Sequence, residues 1–247
     1  VKPQSRQRPK HSKPQSAFRN APDKAASRQP VADGLAARDA AASALFAVFV
    51  EKRAFDDAFA KASETRNLSA RDRAFARLIA TTVLRHRGPL NAVIKSFLEK
   101  PLPENQGRLE PILLSAAAQL LYLKTPPHAA ISLAVDQCRV DRAARRFDKL
   151  ANAVLRRVSE QGAARLAAYD AVSLTFPDWL LARWIKVYGP ERAREIAAAS
   201  LVEAPLDLSV ISDAEGWAER LNGVVLPTGS VRLTGAGKIE ELDGFDD

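Results

Sequence analysis

The chain has 247 residues, 47% hydrophobic and 27% charged, with 37 Lys and Arg against 29 Asp and Glu. That length and balance suit a soluble protein with one or two packed cores. No apolar run approaches the ~20 residues of a membrane span, and no signal-peptide core opens the chain. Cys138 is the single cysteine, which excludes an intramolecular disulfide and a cysteine-based zinc cage. These features point to a cytoplasmic, membrane-free monomer.

The net charge of +8 is unevenly placed: residues 1–34 carry +6, residues 35–160 carry +8, and residues 161–247 carry −6. A basic first domain favours a polyanion such as RNA, DNA or an anionic membrane. Residues 1–34 are rich in Pro, Gln, Ser, Lys and Arg with little apolar clustering. Such a segment buries too little surface to offset its ordering entropy, so it reads as a disordered basic tail.

From Leu35 to about Glu160 the apolar period is helical and predicts about seven helices. Leu45, Phe46, Val48, Phe49 and Val50 mark the first; Phe55 and Phe59 mark the second. Ser69 can cap the third, with Asp72 completing a capping box. Phe75, Leu78, Ile79, Thr82 and Val83 form its stripe. Gly88-Pro89 predicts a break before a fourth helix that carries Leu90, Val93, Ile94, Phe97 and Leu98 and stops at Pro101 and Pro103. The fifth, about Leu109–Leu123, is apolar nearly all round, which places it centrally. Pro126-Pro127 turns the chain into a sixth, and a seventh spans about Arg142–Ser159.

After Gln161-Gly162 the pattern predicts short helices near 163–169, 177–188 and 190–201. Leu206–Ile211 alternates as a half-buried strand, followed by a helix near 213–221 and strands near 224–226 and 231–233. The chain therefore divides into a tail (1–34), a helical domain (35–160), a helical linker (161–203) and an incomplete α+β segment (204–247) of ferredoxin- or RRM-like pattern.

Catalytic and metal-binding groups are scarce. His11, His86 and His128 have no partner at ligand spacing, so no metal is expected. Cys138 lies on an apolar helix side and reads as a structural thiol. Thr234-Gly235-Ala236-Gly237-Lys238 fails the phosphate-loop pattern, with Arg232 at the first Gly position and Ile239 where Ser or Thr is required. No Gly-rich turn between a strand and a helix is offered to a nucleotide or to S-adenosylmethionine. Arginine is more informative, because its fork binds two phosphate oxygens at once. The candidate RNA contacts are Arg38, Arg71, Arg73, Arg77, Arg85, Arg87, Arg139, Arg142, Arg145, Arg146, Arg156 and Arg157.

Several stretches resemble the NusB-like RNA-binding helical fold. They are Ala37-Arg38-Asp39-Ala40-Ala41, Asp72-Arg73-Ala74-Phe75 with Val83-Leu84-Arg85, Gln119-Leu120-Leu121-Tyr122, Pro126-Pro127-His128-Ala129-Ala130, and Leu150-Ala151-Asn152-Ala153-Val154-Leu155-Arg156-Arg157. Phe176-Pro177-Asp178-Trp179-Leu180, the strand Leu206–Ile211 and Glu241-Leu242-Asp243-Gly244-Phe245-Asp246-Asp247 are similar to the connecting segments of the RsmB/Sun family of 16S ribosomal RNA cytosine-5 methyltransferases. The resemblance covers about residues 36–247. It implies a mainly α chain: a NusB-like bundle, short helices, then the start of the α+β segment that precedes a catalytic domain. It also implies 16S ribosomal RNA as partner, and S-adenosylmethionine as cofactor of the full-length enzyme. That family works through two cysteines whose motifs do not occur here, so catalysis is not assigned to Cys138. The chain reads as a substrate-recognition half that stops where catalysis would begin, with Val1 standing in place of Met. The alternative is a NusB-type antitermination factor, for which residues after Glu160 would be dispensable.

Overall fold

The computed structural model describes residues 34–233, 239 and 242–245. The expected tail up to residue 33 and the Thr234–Lys238 stretch lie outside the described residues. The first unit is a helical bundle built on α1 (Leu35–Phe49) and α5 (Leu109–Leu121). Ala37, Ala40, Ala41 and Ala44 of α1 are fully buried. These small side chains let α2 (Phe55–Thr65), α3 (Ala70–Arg85) and α5 pack closely on α1. Apart from the half-buried Glu110, every residue of α5 from Leu109 to Gln119 is buried, as its largely apolar character requires.

The Ser69 hydroxyl accepts the Asp72 N–H at 3.1 Å and donates to the Asp72 carboxylate at 2.9 Å, which closes the start of α3. α4 (Arg87–Lys95) follows after the single residue His86. The break thus falls at His86, upstream of the expected Gly88-Pro89. Pro89 sits in the first turn of α4, where the N–H it lacks has no helical acceptor. Pro126 and Pro127 set the entry of α6 (Pro127–Val140). A 3-10 turn (Ala144–Phe147) leads into α7 (Asp148–Ala167).

α7 begins later than expected and runs through residues 161–162, taking up the short helix expected near 163–169. Gly162 is no terminator. It is buried in the helix, and a Cβ there would meet Leu121 at 3.0 Å and Val158 at 3.2 Å, so glycine lets α7 approach α5.

The linker region continues with α8 (Ala171–Thr175), α9 (Asp178–Tyr188) and α10 (Pro190–Ala199). α8 is capped by Asp170, whose carboxylate accepts the Val172 N–H at 3.1 Å and also pairs with Arg194 at 3.0 Å. α8 packs on α4: a Cβ on Gly88 would stand 1.9 Å from the Leu174 carbonyl oxygen. The last unit is an antiparallel sheet of β1 (Leu206–Leu208), β2 (Val224–Val225) and β3 (Val231–Leu233) in the order β1-β3-β2. β1 is shorter than the expected Leu206–Ile211, and Ile211 is left exposed beyond its end. Val231 and Leu233 face α11 (Ala214–Arg220), where Ala218, Trp217 and Leu221 close a second, small core.

Candidate nucleic-acid interface

The structure separates the twelve candidate arginines by what their side chains touch. Arg38 turns inward and is only 6% exposed. Its Nε donates to Gln119 Oε1 at 2.7 Å, one Nη donates to the Gly34 carbonyl at 3.0 Å, and its guanidinium lies 4.9 Å from the centre of the Phe75 ring. Burial holds its pKa below the ordinary value. A phosphate outside cannot reach this group, so Arg38 is a core cross-link between α1 and α5 rather than an RNA contact.

Three others are partnered on the surface. Arg77 pairs with Asp56 at 2.8 Å, Arg87 stands 3.9 Å from Glu110 and over Phe49, and Arg139 sits between Asp136 at 3.2 Å and Asp148 at 3.3 Å. Arg146 donates to the Asn105 carbonyl at 2.6 Å. Among the described residues, Arg71, Arg73, Arg85, Arg142, Arg145, Arg156 and Arg157 take no carboxylate, and all but the half-buried Arg85 are exposed.

These free arginines form two groups. Arg71, Arg73 and Arg85 lie on α3; Arg142, Arg145, Arg156 and Arg157 lie on the α6–α7 connection and on α7. Both helices pack against α5. Arg71 and Arg73 stand at the N-terminal end of α3, where the helix dipole disfavours cations. The helix dipole therefore does not account for their placement.

The connection that displays Arg142 and Arg145 is held from below. One Asp141 oxygen accepts the backbone N–H groups of Ala143 at 3.0 Å and Ala144 at 2.9 Å, and the other accepts Arg108 Nε at 2.8 Å. Arg108 also reaches Asp39 at 2.7 Å and the Ser43 hydroxyl at 2.6 Å. Arg66 binds the same Asp39 carboxylate and donates to Ser43 at 2.7 Å. The result is a half-buried clamp of two arginines and two aspartates joining α1, the end of α2, the start of α5 and the end of α6.

Its charges are mutually reinforced. Burial opposes the charge on Arg108, but hydrogen bonding to Asp141 and the nearby Asp39 raise its pKa. Burial likewise opposes the Asp141 carboxylate, yet Arg108 and the two backbone donors hold its pKa below the usual value. None of Asp39, Ser43, Arg66, Arg108 or Asp141 was among the expected site residues. Their contacts join positions 23 to 69 residues apart, which no local spacing reveals.

A NusB family model matches residues 35–160 of this sequence. The chain belongs to the NusB family. Among curated proteins it is 34% identical over 232 residues to the ribosomal RNA small subunit methyltransferase B of Xanthomonas campestris, covering 88% of this chain and 50% of that protein. It is 35% identical over 207 residues to the protein of the same name from Xylella fastidiosa, covering 81% and 46%. The chain thus spans about half the length of these curated relatives. A solved structure of antitermination factors NusB and NusE in complex with dsRNA shares 22% identity at a TM-score of 0.45, over 55% of this chain and 96% of that one.

All twelve arginines and the whole clamp fall inside the NusB-family region. His86 stacks on Tyr122 with ring centres 4.1 Å apart; burial, then Arg85, lowers the His86 pKa, and burial raises that of Tyr122. Cys138 is buried, and burial, then Asp141 and Asp148, push its thiol up to about 12. That leaves no thiolate nucleophile near neutral pH. Among the described residues no group of three or more His, Cys, Asp or Glu is placed to hold a metal. A cavity of about 460 Å³ lies beside α4 and α5, lined by apolar residues such as Ile94, Leu98 and Leu113 and by both Lys95 and Lys100 and Glu99 and Glu110. Its lining includes neither a strand end nor a glycine turn of the kind that an S-adenosylmethionine site of the doubly wound type uses, so this cavity does not fit that group.

Proposed function

We propose that this chain is the RNA-binding, substrate-recognition half of an S-adenosylmethionine-dependent 16S ribosomal RNA cytosine-5 methyltransferase. The observation that carries this reading is the extent of the likeness. The match to the Xanthomonas campestris protein covers 88% of the chain, so it includes sequence well outside the NusB-family region. An antitermination factor limited to residues 35–160 leaves that shared sequence unexplained.

In this reading the helical domain grips RNA through the uncompensated arginines, chiefly Arg142 and Arg145 with Arg156 and Arg157, and on the other helix Arg71 and Arg73. Arginine forks on a rigid helical frame bind phosphate and set register, while sequence is read elsewhere. Asp141 is a positioning residue: it fixes the turn that carries Arg142 and Arg145. The methyl donor and the cysteine chemistry belong to the other half of such an enzyme, and no step of methyl transfer is assigned to residues of this chain.

The test is a titration of the chain with a 16S ribosomal RNA fragment at low and at moderate salt. The expected result is binding that weakens as salt rises, because each phosphate contact releases counterions. Absence of binding, or binding indifferent to salt, overturns the reading. Incubation of the chain alone with RNA and S-adenosylmethionine is expected to give no methyl transfer; turnover would reveal a catalytic site in these residues.

A further inference from the structure

We propose that α9 carries a second RNA contact, a platform for an unpaired nucleotide made by Trp179, Arg183 and Lys186. The inference rests on the RNA-binding reading but concerns a site outside the NusB-family region. The three residues stand at i, i+4 and i+7 and so share one stripe of the helix. Trp179 is 67% exposed, and α9 buries none of its residues. The inward side of α9 is already supplied by Leu180, Leu181 and Trp184, each half-buried, with Trp184 meeting Phe176 at 5.4 Å between ring centres. Trp179 is not needed there.

The two cations beside it are also uncommitted. Among the described residues neither Arg183 nor Lys186 takes an ion pair or a side-chain hydrogen bond, and both are exposed. The one acidic residue of α9 is Asp178 at its first position, which takes no ion pair with either of them. Ile185, Val187 and Tyr188 are exposed too; by helical period Ile185 and Tyr188 lie on other sides of α9, and Val187 lies beside Arg183 at the edge of the stripe. The Trp179 stripe is therefore an indole followed by two positive charges, with one exposed aliphatic side chain, Val187, at its edge.

That combination matches a nucleotide. The indole face stacks on a base, and the guanidinium and ammonium reach the phosphates on either side. A base within a duplex is already stacked on its neighbours, so the platform selects RNA with unpaired nucleotides: a loop, a bulge or a single strand. The NusB-family arginines would hold backbone of any form, and α9 would discriminate in favour of the unpaired form.

The experiment compares the whole chain with its Trp179→Ala variant. Each is titrated with a fluorescein-labelled single-stranded oligoribonucleotide of about ten nucleotides and with a duplex containing the same strand. Trp179→Ala is expected to weaken single-strand binding by about 5- to 150-fold, the loss of one stacked base. Duplex binding should change by less than about twofold, because no base is available to stack. Trp179→Phe should keep most of the single-strand affinity. The double variant Arg183→Gln, Lys186→Gln should lower the salt slope for single strands by about 1.4, at roughly 0.7 per phosphate contact. Single-strand affinity unchanged in Trp179→Ala overturns the platform and leaves the stripe to a polypeptide partner. Binding of neither RNA by the unaltered chain removes the RNA reading itself, and the platform with it.

Discussion

Arg38 lies in the first turn of α1 with its guanidinium engaged by Gln119 and by the Gly34 carbonyl, whereas Arg142 and Arg145, on the α6–α7 connection, are exposed and take no ion pair among the described residues. The same side chain thus supports the core at one position and is available to a ligand at others. Gln119→Leu removes the acceptor while leaving Arg38 in the core. It should cost about 2 kcal/mol, the scale of a buried hydrogen bond to a charged group, read as a lower urea midpoint. RNA affinity of the folded variant should stay at the level of the unaltered chain.

Asp141 makes a pH prediction. Its folded pKa lies below the unfolded value, so its contribution to stability is present in full above the ordinary carboxylate range. It is lost as pH falls through that range towards the folded pKa. Asp141→Asn should therefore flatten the acid limb of a stability–pH curve and lower stability at neutral pH. Cys138 gives a third prediction at this scale. A buried thiol with a pKa of about 12 should react with an aromatic disulfide reagent at neutral pH only as fast as the bundle opens, and a subdenaturing addition of urea should speed that reaction.

At the scale of elements, Gly88 and Gly162 show how glycine serves packing here. Gly88→Ala would drive a methyl into the Leu174 carbonyl and should cost about 1–3 kcal/mol of overpacking. Limited proteolysis should then cut near α8 while sparing α5, because α8 packs on α4 at this point. The two glycines also mark the limit of what the sequence reveals. Helical period alone exposed α1 to α6, and the all-round apolar character of α5 placed it at the centre. Gly162 after Gln161 reads equally as a helix terminator and as a packing glycine. Only Leu121, 41 positions away, decides between them. The arginines behave alike. Their excess was legible in composition, but the acceptors that sort Arg38, Arg66 and Arg108 from Arg142 and Arg145 come from other helices. The i, i+4, i+7 spacing of Trp179, Arg183 and Lys186 was legible in the sequence. That its indole faces outward was not, because half of any helix containing Trp and Leu is expected to be buried.

In the whole molecule a basic NusB-family bundle is joined to a linker that packs on it through α8, with a small sheet beyond. Charge and scaffold are separable in this arrangement. The clamp of Asp39, Arg66, Arg108 and Asp141 holds the frame, and the exposed arginines can be altered without disturbing it. The most direct measurement is RNA affinity as a function of salt, for the unaltered chain and for the double variant Arg142→Glu, Arg145→Glu, with a 16S ribosomal RNA fragment. Affinity is expected to fall steeply with salt in the unaltered chain. In the variant the expected result is weaker binding with a slope smaller by about 1.4, at roughly 0.7 per lost contact, and an unchanged melting temperature. Equal affinity and equal slope in the two proteins would contradict it.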